Sequence, residues 1–597
     1  MRRLLSGNEA IALGAYHAGL AVAAAYPGTP STEILESIAR LEGVYAEWAP
    51  NEKVALDVAL GASLGGERAL AAMKHVGLNV AADPFFSASY AGVGGGLVVV
   101  TADDPGLHSS QNEQDNRHYA RAAKVPLLEP ADSQEAYDFT RLAFEISERF
   151  NTPVLLRTIT RVAHSRTVVE TTAERPALPR ASFKHNPQRY VLVPAHARAL
   201  HPQVEERQRQ VAAYAETFPA NRVERGRGRL GIVTSSVAYH YTREVFPEAS
   251  ILKLGLSYPL PEKMVREFAA GVERLLVVEE LDPFLEEQLR ALGLPAEGKS
   301  IFPQVGELTL DVVEDSARRA GLLATERPSL PAIPTVPLPP RPPVLCPGCP
   351  HRSTYYVLSL LGRRQAKADG SHQAPQLAIM GDIGCYTLGV LPPLAALDSC
   401  ISMGSSIGMA LGVEKAGVQD KVVAMIGDST FLHSGMTGLL DLAYNGGSIT
   451  VIILDNGTTA MTGHQEHPGT GRSARGTVTK AVDIPAVARA LGIEDVREAN
   501  AFALPALRKT LKEAIDSPAP SVVVVRGLCA LRNREPREAA VVDPARCNDC
   551  GLCLRLGCPA LVKREGGVEI DQGLCVGSIC GLCGQVCAHH AISTREL

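Results

Sequence analysis

The first 345 of the 597 residues contain no cysteine, whereas eight of the 13 cysteines fall in the last 51. A secreted disulfide framework spreads its cysteines through the chain it staples. This bias points instead to thiols that bind metal in a reducing compartment. Positive charge is not in surplus either: 59 Lys and Arg stand against 64 Asp and Glu, a formal net charge of -5 that offers nucleic acid no general attraction. No uninterrupted apolar run is long enough to span a bilayer. The stretch from Ala10 to Tyr26 imitates a secretory leader behind Arg2 and Arg3. However, Glu9 and His17 interrupt it and it runs on into domain-like patterning, so it reads as an amphipathic helix and a cytoplasmic location is expected. What remains, with 46% hydrophobic and 21% charged residues, is a globular chain long enough for several domains.

Residues 1–165 alternate helical and strand-like segments. Ile11 to Ala25 reads as helix, YPGTPST (Tyr26 to Thr32) as its break, and Gly96 to Thr101 and Pro153 to Thr158 as apolar strands. Residues 166–229 are a basic, proline-bearing connection with one helix at Gln203 to Glu216. Residues 230–325 return to strand-helix-strand order, with a helix at Phe284 to Leu292 and a Ser235-Ser236 turn able to cap a helix. A proline-dense, extended linker covers 326–345. Residues 346–540 form a further α/β unit, and 541–597 carry the cysteine-rich tail. The class expected is α/β with doubly wound parallel sheets.

The densest chemistry lies between Val422 and Thr462. The apolar run Val422 to Ile426 ends in Gly427-Asp428-Ser429, a helical segment follows to about Tyr444, and Ile449 to Leu454 ends in Asp455-Asn456-Gly457. Ligands of a parallel sheet collect beyond the carboxyl ends of its strands, so Asp428 and Asn456 can reach one site. Their oxygens suit magnesium, which shares its shell with phosphate oxygens, although a plain crossover with polar caps would carry the same residues. Asp382 in GDIGC lacks a downstream asparagine at a fitting strand tip and is the poorer candidate. Ser402 to Gly412 is a glycine- and serine-rich helix start. The amides of Gly404 and Ser405 could meet a diphosphate, or the glycines could serve close packing. Glu52 opens a small-residue helix after Pro50, where an acid is favoured by the helix dipole whatever its role. Thr29 sits in YPGTPST, where a hydroxyl can simply cap a turn.

CPGCPHR places Cys346 and Cys349 at metal-clip spacing, and Cys385 and Cys529 each follow a strand-like run. Four thiolates at strand ends could ligate zinc or an iron-sulfur cluster. In the tail, CNDCGLCLRLGCP supplies Cys547, Cys550, Cys553 and Cys558, and CVGSICGLCGQVCA supplies Cys575, Cys580, Cys583 and Cys587. Eight cysteines in this order exceed what one zinc ribbon uses.

The Asp428 to Asn456 segment resembles the thiamine diphosphate motif GDG...N, with Ser429 in place of its last glycine. The resemblance implies magnesium bound by the side chains of Asp428 and Asn456 and the carbonyl of Thr458, with Gly427 and Ser429 among the cofactor-binding positions. It also implies that Glu52 hydrogen-bonds the aminopyrimidine ring. The tail resembles the bacterial two-cluster ferredoxins, in which three cysteines of one run and the last of the other bind each cluster. That pattern puts Cys547, Cys550, Cys553 and Cys587 on one [4Fe-4S] cluster and Cys575, Cys580, Cys583 and Cys558 on the other. The spacing departs from it before Cys558, between Cys575 and Cys580, and in Ala588, which replaces the usual proline.

The order of motifs over nearly the whole chain is similar to that of the 2-oxoacid:ferredoxin oxidoreductases. This implies thiamine-dependent oxidation of an aryl 2-oxo acid of the indolepyruvate type with coenzyme A, giving aryl-acetyl-CoA, carbon dioxide and reduced ferredoxin. It further implies a Pyr-type thiamine domain at 1–165, a transketolase-C-terminal-like domain at 230–325 and a PP-type domain at 346–540. Thr29 would contact substrate, and Cys346, Cys349, Cys385 and Cys529 would hold a third cluster near thiamine. A small β subunit with the γ-type domain, an external ferredoxin and an (αβ)2 assembly complete the expectation. No motif places a substrate-gripping arginine; Arg117 in SSQNEQDNRHYAR is eligible, but it reads more readily as a solvated loop residue. Two rival readings are a non-oxidative thiamine decarboxylase or carboligase with an accessory cluster module, and an electron-carrying scaffold.

Overall fold

The computed structural model describes residues 1–171, 174–176, 183–323, 342–362, 377–533 and 538–593. Most of the proline-dense linker expected at 326–345 therefore lies outside the described residues. The chain forms two compact units, Met1–Pro334 and Thr335–Leu597.

The strands of the first unit are β1 (Arg2–Ser6), β2 (Val22–Ala25), β3 (Tyr45–Trp48), β4 (Ala69–Lys74), β5 (Leu97–Asp103), β6 (Leu127–Leu128), β7 (Val154–Ile159), β8 (Arg166–Glu170), β9 (Arg222–Glu224), β10 (Leu230–Ser235), β11 (Ser250–Leu254), β12 (Leu256–Tyr258), β13 (Arg274–Val278) and β14 (Ala296–Glu297). Seven make the main sheet in the order β12-β6-β7-β5-β4-β2-β3, parallel except where β12 joins β6. Strands β4, β5 and β7 are buried at every position, as strands covered on both faces must be. Helices Gly7–His17 and Ser133–Phe150 pack on one face, and Glu52–Leu64 and Ala82–Ala91 on the other. A second sheet runs β14-β13-β10-β11-β9. Gly255 lets the chain pass from β11 of this sheet directly into β12 of the main one: a Cβ there would lie 2.7 Å from the Phe139 ring.

The helix expected over Ile11 to Ala25 is two elements. Helix Gly7–His17 starts at a capping box between Ser6 and Glu9 and is followed by Gly19 at positive φ, after which Val22–Ala25 is the buried strand β2. A short apolar run fits a buried strand as well as a helix, and the sheet decides. YPGTPST thus lies at the carboxyl end of a strand. The helix predicted at Gln203 to Glu216 begins earlier, at Pro194. Ser236 caps no helix; it adopts positive φ and donates to the Pro130 carbonyl.

Arg117 is not a solvated loop residue. It is 1% exposed, donates to Asp115 and to Glu279 Oε2 (2.6 Å), and binds the Glu280 carbonyl at the end of β13. It is a structural clamp between the two sheets. Arg117→Ala would leave two carboxylates buried and unpaired, at a cost of about 3–5 kcal/mol. Denaturant unfolding should show a clearly lowered midpoint, and an unchanged midpoint would refute this role.

The second unit contains β15 (Leu377–Gly381), β16 (Ser399–Cys400), β17 (Lys421–Gly427), β18 (Thr450–Asp455), β19 (Asp495–Asn500) and β20 (Ser521–Arg526), all parallel, in the order β16-β15-β17-β18-β20-β19. From β15 the chain goes outward to β16 and returns to β17 on the other side. The winding therefore reverses between β15 and β17, opening a crevice at their carboxyl ends. Helices Ser406–Lys415 and Met436–Tyr444 cover one face, and His351–Leu361 and Leu504–Ile515 the other. In the tail, β21 (Val541–Val542) pairs with β24 (Ile592–Ser593), and β22 (Leu561–Arg564) with β23 (Gly567–Ile570). Among the described residues no helix is long and apolar enough to cross a membrane.

Candidate cofactor and metal centres

At the tip of β17 the chain turns directly into helix Asp428–Thr430, then through a π-helical turn, Phe431–Gly435, into Met436–Tyr444. Such π turns recur at ligand sites. Asp428 Oδ1 accepts from its neighbour Ser429 N at 2.8 Å, and Oδ2 accepts from Gly457 N at 2.9 Å, across at the tip of β18. Asn456 Oδ1 accepts from Thr458 N, while its Nδ2 lies 3.2 Å from His351 Nε2, which thereby sets which end of the amide faces which way. Ser429, the departure from the motif's glycine, accepts a hydrogen bond from Thr459 at 3.0 Å and so joins the two tips. Asp428, Asn456 and Thr458 are all buried. The carboxyl edge of the sheet thus gathers the residues that the sequence pattern paired.

The electrostatics of this edge fit a cation. Burial opposes the Asp428 charge, but His467 and the backbone donors outweigh it and hold the carboxyl below its ordinary range. Asp455 is pushed up to about 6 by burial and by Asp428 beside it. Two buried carboxylates in contact favour a positive charge between them. His467 Nε2 lies 3.2 Å from Asp428 Oδ2, a buried ion-pair contact outside hydrogen-bonding geometry. These observations are compatible with a magnesium-bound diphosphate. Asp455, His351 and His467 were not singled out from the sequence. Asp455, next to Asn456, and His351, two residues after Cys349 in CPGCPHR, carried a local signal; His467 carried none.

The amides of the Ser402 to Gly412 segment do not point outward. Gly404 N and Ser406 N donate to Asp382 at 2.7 and 3.0 Å, and Ser405 N donates to the Ser402 carbonyl. The amide cradle expected at Gly404 and Ser405 is thus already taken. Asp382 at the tip of β15 organises this loop, a structural use that its sequence context did not reveal.

In the first unit Thr29 and Glu52 stand at the carboxyl edge of the main sheet, beyond the neighbouring strands β2 and β3. The Thr29 loop is fixed by Asn8 Nδ2 on the Pro30 carbonyl (2.6 Å) and by Ser31 on Gly28. Glu52 is the first residue of helix Glu52–Leu64, which Asn51 caps through Val54 N, and it is 5% exposed. Its carboxylate lies against Gly77, where a Cβ would sit 2.6 Å from Oε1. An acid held buried at a strand tip differs from a solvated first-turn charge.

All 13 cysteines are free thiols. Twelve form three groups of four, and Cys400 stands apart. Cys349 is flanked by Cys346 and Cys385, and Cys385 by Cys529; burial pushes the Cys349 thiol up to about 12 and Cys385 to about 11. One cavity of the tail is lined by Cys558, Cys575, Cys580 and Cys583, another by Cys547, Cys550, Cys553 and Cys587. Each group therefore crosses between the two cysteine runs. Zinc at about 2.3 Å from four sulfurs would set them roughly 3.8 Å apart. Among the described residues no three of these sulfurs all lie within 4.8 Å of one another. Arg352, buried, donates to the carbonyls of Cys346 and Leu556 and locks the CPGCPHR loop to the tail.

Comparison with known proteins bears on this arrangement. Residues 13–225 match the family described as "Pyruvate flavodoxin/ferredoxin oxidoreductase, thiamine diP-bdg", and residues 382–525 match "Thiamine pyrophosphate enzyme, C-terminal TPP binding domain". The chain is 42% identical to the indolepyruvate oxidoreductase subunit IorA of Archaeoglobus fulgidus, over 99% of this chain and 97% of that protein. The chain belongs to the 2-oxoacid:ferredoxin oxidoreductase family. The IorA subunits of Methanothermobacter thermautotrophicus (43% identity, 98% of this chain, 96% of that one) and Thermococcus kodakarensis (40%, 100% and 97%) are similar over the same extent. These relatives are named as subunits, which implies a partner chain.

Proposed function

We propose that this chain is the thiamine-binding and electron-carrying subunit of a complex that oxidatively decarboxylates an aryl 2-oxo acid of the indolepyruvate type. Coenzyme A would receive the aryl-acetyl group and an external ferredoxin the electrons. The observation that carries the reading is the presence in one chain of the Asp428–Asn456 edge and three groups of four thiols. When bound, thiamine diphosphate supplies the carbon that attacks the 2-oxo acid, and iron-sulfur clusters supply one-electron acceptors. Asp428, Asn456 and the Thr458 carbonyl would hold magnesium, with Gly427 and Ser429 beside the diphosphate. Glu52 would hold a proton on the aminopyrimidine ring, and Thr29 would orient the substrate. The Cys558, Cys575, Cys580 and Cys583 cavity is also lined by Pro347, Gly348 and Arg352, so two groups of thiols are neighbours along a path for electrons. The tail is read as a two-cluster ferredoxin-like domain. The partner is read as a small β subunit carrying the γ-type domain, in an (αβ)2 assembly.

Anaerobically purified complex should reduce a viologen dye only when both 2-oxo acid and coenzyme A are present. Release of aldehyde or acyloin without dye reduction would favour the decarboxylase reading instead. Iron analysis should return about twelve atoms per chain, three four-iron clusters. About eight would remove the cluster assigned to Cys346, Cys349, Cys385 and Cys529.

A further inference from the structure

A 2-oxo acid is an anion, and Arg117 is not free to receive it. The first unit holds another cation where its main sheet accepts ligands. Lys74 is the last residue of β4, on the edge that carries Thr29 and Glu52, and it is 8% exposed. Its stem runs against the YPGTPST loop at Gly28, where a Cβ would sit 2.9 Å from Lys74 Cβ. Gly28 therefore lets the lysine pass close beside Thr29. The ammonium donates to the Ser109 carbonyl at 2.6 Å, and the Ser109 hydroxyl reaches the Thr29 carbonyl at 3.5 Å.

Among the described residues Lys74 lacks a counter-ion, as buried Arg207 does, but of the two only Lys74 stands on the edge that carries Thr29 and Glu52. Arg117 and Arg157, also buried in this unit, are each held by two carboxylates. Lys74 makes no ion pair among the described residues. Asp104 is close enough to favour its charge, but the Asp104 carboxylate takes its hydrogen bonds from Ser109 N, Ser110 Oγ and Thr160 Oγ1. An ammonium has three donors, and one carbonyl uses one of them. Keeping such a group buried is costly unless an acceptor arrives. We infer that Lys74 grips the carboxylate of the 2-oxo acid, beside Thr29; this rests on the functional reading above.

Burial pushes the Lys74 pKa down to about 8, with Asp104 acting in the opposite direction. Its charge is therefore present below that pH and lost above it. Of the titratable groups facing it, Asp104 is held below its ordinary range by its hydrogen bonds, which outweigh its burial, and His75 is lowered by burial. Neither changes charge between pH 7 and 9.

The test uses the complex with its partner subunit, loaded with thiamine diphosphate. Binding of phenylpyruvate and of its neutral amide is measured by calorimetry without electron acceptor, and turnover by dye reduction. Lys74→Met should weaken the acid by roughly 30-fold or more, the amide by less than about threefold, and leave thiamine diphosphate affinity unchanged. Lys74→Arg should keep most of the acid affinity. In the unmodified complex, affinity for the acid should fall as pH rises through about 8 while the amide stays level, which decides the matter even if the variants fold poorly.

Unchanged acid affinity in Lys74→Met, equal weakening of acid and amide, a level acid profile through pH 8, or no binding of the acid would each overturn the inference. Acid bound through Lys74 without dye reduction would sink the functional reading and support Lys74. Dye reduction with an unchanged KM in Lys74→Met would do the reverse.

Discussion

Replacing Asp428 by alanine is expected to weaken binding of magnesium thiamine diphosphate by roughly 30-fold to several thousand-fold, the range of removing one partner from a buried, hydrogen-bonded charge pair, about 2–5 kcal/mol. The size of the effect follows from where the carboxylate sits. It is 3% exposed, receives the amides of Ser429 and Gly457 from two strand tips, and stands against Asp455 and His467. No water can replace a charge in that position cheaply. Without the cation, however, Asp428 and Asp455 repel, so the empty variant should unfold at nearly the same temperature as the empty parent. Calorimetric titration with the cofactor and magnesium measures the first effect and thermal unfolding the second. Cofactor affinity within a few-fold of the parent would remove Asp428 from the metal site.

Glu52→Gln should lower turnover by about 10²- to 10⁴-fold, the usual contribution of a positioned acid-base group. Cofactor affinity should stay within a few-fold. Glutamine has the shape of glutamate and still fits against Gly77, where even a methyl group would clash, so the change removes the ionisable group without opening a void. Dye reduction in the complex reads the loss, and cofactor titration shows whether the pocket survived. Full turnover in Glu52→Gln would mean that this helix start is structural and would revive the scaffold reading.

Where sequence patterning was clear, it was so for local reasons. The βαβ unit from Val422 to Asn456 is legible because apolar runs, polar strand tips and a helical stretch of standard length occur in sequence. The two cysteine runs of the tail and the Cys346-Cys349 clip were legible because cysteine spacing is a short-range signal, whereas sorting the thiols into sets of four drew on the resemblance to ferredoxins and to the oxidoreductase family. What was not legible depends on partners distant in sequence. Val22–Ala25 looked helical until Tyr45–Trp48 and Ala69–Lys74 flanked it. Arg117 looked like a loop cation because Glu279 and Glu280 are some 160 residues away. Gly404 and Ser405 looked like a phosphate cradle because nothing in GDIGC shows that Asp382 collects their loop.

From the residues alone came the α/β class, the candidate magnesium pair Asp428 and Asn456, and the two cysteine runs of the tail; the assignment of their eight thiols to two sets of four came from the resemblance to two-cluster ferredoxins. Each depends on spacing along one stretch or on chemistry that a residue type carries anywhere. Only the tertiary structure decided which charges are already spent, Arg117 on Asp115 and Glu279 and Asp382 on its loop, and that Lys74 beside Thr29 is buried with no ion pair among the described residues. A buried charge is defined by what surrounds it, and those neighbours come from strands and loops that only folding brings together.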